Sequence, residues 1–181
     1  MKKLNIYALI MTILFVSCSK DDDPVAVNEE EVITTLTVTL VPSDASANII
    51  LKTVDLDGDG PTAPTVTVSG DLKASLTYAG SMKFENETET PAENITLEII
   101  EEADEHQVFY TVGSSLNATV VSTKNDSKGL PLGTEFNLTT GAASTGKLTF
   151  TLRHEPKKPN TGLADAGGST DIEASFDFVI K

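Results

Sequence analysis

Residues 35–40 read TLTVTL and decide the fold class, because polar and apolar side chains alternate strictly along them. Leu36, Val38 and Leu40 share one face of an extended chain, and the threonines between them share the other. A period of two residues is typical of a strand with one buried face, as in an antiparallel sheet. We therefore predict a first strand over residues 32–41.

The same alternation recurs along most of the remaining chain. Its longest run is apolar at even positions from Leu72 to Phe84, and it predicts one strand or two strands that bend at Gly80. Further strands are predicted around residues 49–54, 95–99, 106–112, 116–123, 134–139, 148–152 and 172–180. Short strands between polar turns indicate an all-β fold, a single antiparallel β-sandwich of immunoglobulin-like architecture with eight or nine strands. We place this domain at residues 31–181.

The chain has 181 residues and one cysteine, Cys18, so it forms no internal disulfide. A domain of about 150 residues buries enough surface to fold without one. Its stability must therefore come from packing and backbone pairing.

The beginning of the chain indicates export to an envelope. A basic start and an apolar run over residues 4–16 lead to Cys18, which is the pattern of a lipoprotein signal peptide. We predict that residues 1–17 are removed, that Cys18 is lipidated, and that residues 18–30 form a flexible acidic tether. The alternative is an uncut transmembrane anchor, but a spanning helix needs about 20 apolar residues.

The stretch Ser19-Lys20-Asp21-Asp22-Asp23 resembles the lysine-plus-acidic export tag of surface lipoproteins in Bacteroidota. It predicts an outer-membrane protein, lipid-anchored and exposed at the cell surface. A plain acidic tether is the alternative explanation of the same residues.

The charge of the chain excludes one class of partner. Its formal net charge is −14, and Arg153 is its single arginine. Phosphate backbones are bound by clustered lysines and arginines, so we predict no nucleic-acid partner.

One loop carries aspartates at the spacing that begins a calcium loop. Asp55, Asp57 and Asp59 alternate with other residues before Gly60, and carboxylates so placed can converge on a hard cation. The twelfth position holds Val66 instead of the closing glutamate, which excludes an EF-hand. A partial calcium site and a simple turn between strands both remain open.

The two histidines of the chain both lie beside acids at strand boundaries. His106 follows Glu102 and Glu105, and His154 precedes Glu155. Imidazole nitrogen together with carboxylate oxygen suits zinc, copper or iron. We predict one divalent metal site built from these residues if the two strands are neighbours. Solvated loop histidines are the alternative.

The motifs of common enzymes are missing from the sequence. No serine lies in a nucleophile elbow, and no glycine-rich phosphate loop is present. We predict a non-catalytic surface lipoprotein that binds a ligand, such as a cation or metal that it captures. The alternative is an adhesion or scaffold module that binds protein or glycan without metal.

Four stretches of the chain resemble a group of flavobacterial envelope lipoproteins, often labelled type 1 periplasmic-binding-fold proteins: residues 55–60, 104–107, 151–156 and 167–173. The resemblance covers nearly all of the predicted mature chain. It implies an accessory to a TonB-dependent outer-membrane transporter. It implies no ligand residues.

Overall fold

The computed structural model describes residues 31–58 and 60–181, which form two β-sheets packed against each other. Their strands are β1 (Thr35–Pro42), β2 (Ile49–Val54), β3 (Thr65–Val68), β4 (Thr77–Glu85), β5 (His106–Val112), β6 (Ala118–Ser122), β7 (Glu135–Thr140), β8 (Ser144–His154) and β9 (Ser169–Ile180). Two short helices are α1 (Thr96–Glu101) and α2 (Leu163–Ala166). Every pairing between these strands is antiparallel. The predicted antiparallel β-sandwich is therefore confirmed, with nine strands in the described part of the chain.

The two sheets differ in size. The large sheet has the strand order β3-β2-β1-β4-β7-β6, and the small sheet has the order β5-β8-β9. Aromatic rings join them at the centre, where Phe136 of the large sheet lies 5.7 Å from Phe150 of the small sheet between ring centroids. Phe150 in turn packs edge-on against Phe176. The core therefore lies between the sheets, as alternating inward positions require.

The alternation that predicts the strands is the same alternation that fills this core. Leu36, Val38 and Leu40 are fully buried in β1, whereas Thr37 and Thr39 between them are only partly buried. In β9 the buried positions are again the even ones, including Phe176 and Phe178.

Gly80 lies inside β4, which runs as one continuous strand from Thr77 to Glu85. Its partners in the sheet are Leu40 on one side and Phe136 on the other. A Cβ atom at position 80 would lie 2.2 Å from Cζ of Phe136. The glycine therefore makes room for an aromatic ring within one continuous strand, and residues 72–76 of the predicted run lie before that strand.

The strand predicted at residues 95–99 is wrong, because this segment forms α1. Ile95 and Ile99 are both buried, which suits a helix with a spacing of four as well as a strand with a spacing of two. Leu97 distinguishes the helix from the strand. In a strand it would lie on the same buried face as Ile95 and Ile99, but it is 65% exposed. The amide of Ile99 donates to the carbonyl of Ile95, as in a helical turn.

Strand β3 was not predicted from the sequence. Its residues Thr65–Val68 form one edge of the large sheet, and none of their side chains is buried. Its residues do alternate as Thr-Val-Thr-Val, but the run has only four residues and directly follows a loop with two prolines, which hid it from a reading by period.

The signal peptide, the lipidation at Cys18 and the tether at residues 18–30 lie outside the described residues. They remain predictions. Within residues 31–58 and 60–181, no helix combines the length and the apolar character needed to cross a membrane.

Candidate metal centre

The small sheet brings the two histidines together at one of its ends. His106 begins β5 and His154 ends β8, and because these strands run antiparallel the two residues are direct partners. Their rings stack with centroids 4.7 Å apart and planes 25° from parallel. Both side chains are buried.

Two carboxylates complete the cluster, and they come from distant parts of the chain. Glu31 lies just before β1, and Asp171 lies near the start of β9. Their side chains are only 7% and 0% exposed. Glu31, His106, His154 and Asp171 are called the buried cluster below.

A β-bulge directs Asp171 to this position. The pairing of β8 with β9 shifts register between Leu152 and Arg153, whose partners are Ile172 and Thr170, so that Asp171 is the extra residue. A bulge changes the direction in which a side chain leaves the strand. Asp171 therefore reaches the buried cluster although Ile172, its neighbour, also points toward the core.

The carboxylate oxygens face the ring nitrogens. Nε2 of His106 lies 3.0 Å from Oε1 of Glu31 and 3.9 Å from Oδ2 of Asp171. Nδ1 of His154 lies 3.6 Å from Oε2 of Glu31 and 3.8 Å from Oδ1 of Asp171. One ligand atom from each of the four residues lies within 4.8 Å of the other three.

A backbone carbonyl fixes the tautomer of His106. Its Nδ1 lies 3.1 Å from the carbonyl oxygen of Glu102, which can only accept, so Nδ1 carries the hydrogen. In the neutral ring, Nε2 then presents a lone pair to the carboxylate of Glu31. Histidine ligands of metals are commonly oriented by such a carbonyl.

This arrangement leaves buried polar atoms without hydrogen bonds. Nε2 of His106 and Oε2 of Glu31 are both buried, and neither has a hydrogen-bond partner among the described residues. A lone pair that faces a carboxylate at 3.0 Å needs a cation or a proton between them. Protonation of both rings would instead place two positive charges on stacked imidazoles, which repel each other.

The charges around the buried cluster also favour a cation. With neutral imidazoles the cluster carries two negative charges, and burying a carboxylate costs several kcal/mol. The surroundings are acidic too: loss of solvent, then repulsion from Glu93 and Glu31, raise the pKa of Glu98. A divalent ion would neutralise the cluster.

The spacing of the ligand atoms fits a four-coordinate ion. At metal–ligand distances of about 2.1 Å, atoms at the corners of a tetrahedron lie about 3.4 Å apart. The shortest separations between each imidazole and each carboxylate are 3.0, 3.6, 3.8 and 3.9 Å and involve both oxygens of each carboxylate. One atom from each residue lies within 4.8 Å of the other three, so small side-chain shifts would bring four ligands to a tetrahedral ion. The buried cluster could thus hold a metal ion with two nitrogen and two oxygen ligands.

The acids predicted to join the histidines occupy different positions. Glu102 contributes its carbonyl, and its carboxylate is exposed. Glu105 and Glu155 are exposed and form a second group with His154, in which the ligand atoms also lie within 4.8 Å. These two acids therefore lie at the solvent side of the buried cluster and outside its ligand set.

The predicted calcium loop is only partly described, because Asp59 lies outside the described residues. The Asp57 carboxylate accepts the amide of Thr62, which lowers the pKa of Asp57. Asp55 and Asp57 belong to no metal-ligating group in the part of the chain that the structure describes. The backbone amide of Asp55 donates to the carbonyl of Thr34 and ties the loop to the start of β1.

Sequence reasoning missed both carboxylates of the buried cluster. Glu31 ends a run of three glutamates, of which the first two belong to the predicted tether and Glu31 is the first residue of the predicted domain. Asp171 lies on the outward side of β9 by strict alternation, and only the bulge turns it inward. The position of Asp171 next to the apolar residues of β9 was the one sequence feature that could have suggested its burial.

Comparison with family models, with curated proteins and with solved structures found no match. The functional argument therefore rests on the geometry of the buried cluster.

Proposed function

We propose that this protein is a non-catalytic metal-binding domain that holds one divalent transition-metal ion in the buried cluster. The observation that supports this most strongly is the orientation of His106. Its Nδ1 is held by a backbone carbonyl, while its Nε2 points without a hydrogen bond toward Glu31. Such a ring is prepared to bind a metal.

Zinc is the ion that the ligand set favours. Zn²⁺ accepts imidazole nitrogen and carboxylate oxygen and prefers four ligands in a tetrahedron, whereas Ca²⁺ takes six to eight oxygens. Copper(II) prefers a square-planar arrangement. Iron(II) shares the ligand types and is the main competitor.

The burial of the ligands argues for a resident ion. Catalytic zinc sites keep one coordination position open for water or substrate, and structural sites are closed by four protein ligands. All four side chains of the buried cluster are at most 7% exposed. Capture and delivery to a TonB-dependent transporter, which the family resemblance implies, would require this closed shell to open.

Titration calorimetry tests the metal proposal directly. Purified full-length protein, treated with a chelator and dialysed, is titrated with Zn²⁺, Cu²⁺, Fe²⁺ and Ca²⁺. We expect one Zn²⁺ per chain with a Kd of about 1 μM or less, and no calcium binding at this cluster. Intense visible absorption of the Co²⁺-loaded protein would report four-coordination.

Matched variants assign the ligands. Glu31→Gln and Asp171→Asn should each weaken zinc binding by at least about 100-fold, since each removes a ligand. Glu105→Gln changes the charge in the same way outside the ligand set and should have little effect. Equal losses in all three variants would point to general electrostatics or to a ligand role of Glu105 in its group with His154. Absence of zinc binding would leave the metal-free adhesion or scaffold module as the better proposal.

The envelope location is proposed from the sequence alone. Cys18 would attach the domain to the outer membrane, with the diacylglycerol chains buried in the lipid. Incorporation of a labelled fatty acid that is lost in Cys18→Ser would support it. Labelling that persists in this variant would contradict it.

A further inference from the structure

We infer that the metal ion fastens the segment around Glu31 to the small sheet, so that metal occupancy decides whether this segment is docked. This inference rests on the proposed metal binding. It concerns the point at which the predicted tether enters the folded domain. The ion would hold this junction against the small sheet, and its loss would release it.

The ligands are divided unequally between the sheets. His106, His154 and Asp171 belong to β5, β8 and β9 of the small sheet. Glu31 alone precedes β1, which lies within the large sheet. An ion bound by all four residues would therefore join the segment that leads into β1 of the large sheet to the end of the small sheet where the histidines lie.

Among the described residues, backbone hydrogen bonds hold the chain from Thr34 onward. The amide of Thr34 donates to the carbonyl of Glu85, and its own carbonyl accepts the amide of Asp55 at 2.8 Å. Its hydroxyl accepts the amide of Glu87, also at 2.8 Å. For residues 31–33, no backbone hydrogen bond to another described residue is present.

Side-chain packing of residues 31–33 is also limited. Val32 is 58% exposed, and Ile33 is only partly buried against the core. A cleft of about 470 Å³, lined by Val32 on one side and Glu173 on the other, runs beside the segment. A segment with few contacts and open space beside it opens at low cost in free energy.

Electrostatics then make docking depend on the ion. With zinc present, the carboxylate of Glu31 is bound and its charge is neutralised. When the ion is removed, the same carboxylate lies in a buried site with Asp171 and with a lone pair of His106. Like charges and desolvation both favour its release into water.

Limited proteolysis tests this inference, because the cleavage rate of the Glu31–Val32 bond reports how often the segment is undocked. Full-length protein is treated with a glutamate-specific endoproteinase, either loaded with zinc or in excess chelator, and intact mass spectrometry separates cleavage after residue 31 from other cuts. We expect zinc to slow cleavage of this bond at least about tenfold, since the free energy of opening is added to the barrier. The Glu89–Thr90 bond lies in an exposed loop and serves as the internal control.

A ligand variant on the small sheet separates docking from protease inhibition. Asp171→Asn keeps the Glu31 cleavage site but removes its partner across the ion, so its Glu31–Val32 bond should be cut at the same rate with and without zinc. His154→Gln is the second variant if Asp171→Asn fails to fold by circular dichroism. Glu105→Gln should behave like the unaltered protein.

Native mass spectrometry on the same samples distinguishes the two proposals. Loss of zinc binding altogether overturns both. Bound zinc with no change in cleavage after Glu31, or protection that persists in Asp171→Asn, overturns the docking inference and leaves the metal proposal standing. Bound zinc with protection confined to Glu31–Val32 is the expected result.

Discussion

Nζ of Lys158 lies 3.1 Å from Oδ2 of Asp126, and this ion pair is almost completely buried. The same ammonium donates to the carbonyl of Ala103 at 2.8 Å. The other oxygen of Asp126 accepts the amides of Lys128 and Leu130. One lysine thus joins the loop after β8 to the loop before β7 and to the chain that leads into β5.

Removing the lysine of this pair should destabilise the fold strongly. Lys158→Met keeps most of the side-chain volume but leaves the Asp126 carboxylate buried without its cation, which costs about 3–5 kcal/mol. Urea unfolding measures the loss, and Lys181→Met, which breaks the exposed pair with Asp71, should cost less than about 1 kcal/mol. Similar losses in both variants would mean that the burial of the pair is unimportant.

The same carboxylate predicts an acid-sensitive part of the stability. Burial opposes ionisation of Asp126, but hydrogen bonds from Leu130, Lys158 and Lys128 outweigh it, so its pKa lies below the usual value. A carboxyl with a lowered folded pKa stabilises the fold above its unfolded pKa of about 3.9, and this contribution is lost as the pH falls through the folded pKa. Unfolding free energy should therefore fall more steeply below about pH 4 in the unaltered protein than in Asp126→Asn. Parallel pH profiles would contradict this assignment.

A methyl group at position 80 should disturb the core. Gly80→Ala would place Cβ 2.2 Å from the ring of Phe136, so the ring or the strand must shift. Overpacking of this kind costs about 1–3 kcal/mol. Gly70→Ala is the matched control, because no atom lies within 4 Å of its added Cβ. Urea unfolding should show a loss only at position 80, and equal stability of the two variants would show that the ring moves freely.

Local patterns were sufficient to predict most of the strands. Strands β1 and β9 bury one face completely, so their period of two residues is visible in the sequence. The segment from Ile95 to Ile99 could not be assigned in this way, because two buried residues four apart satisfy both periods. The edge strand β3 buries no face, and its alternation is limited to the four residues Thr65–Val68.

Sequence reasoning predicted the two histidines of the buried cluster but neither of its carboxylates. His106 and His154 stand out as the two histidines of the chain, and their positions at strand boundaries allowed a shared site. The pairing of β5 with β8, which makes them neighbours, is a long-range contact that no local pattern encodes. Glu31 and Asp171 depend on sheet packing and on a bulge, which are properties of the assembled fold.

Glu31→Gln should change the stability in opposite directions with and without zinc. In excess chelator it removes the carboxylate charge that opposes docking beside Asp171, and the new amide can donate to Nε2 of His106, so we expect stabilisation of about 1 kcal/mol. In saturating zinc the unaltered protein gains about 4 kcal/mol at a thousand times Kd, and the variant forfeits most of this gain. Thermal unfolding in both conditions measures the reversal, and Glu105→Gln should show none. Destabilisation of Glu31→Gln in both conditions would mean that Glu31 serves the fold through contacts with the histidines and not as a metal ligand.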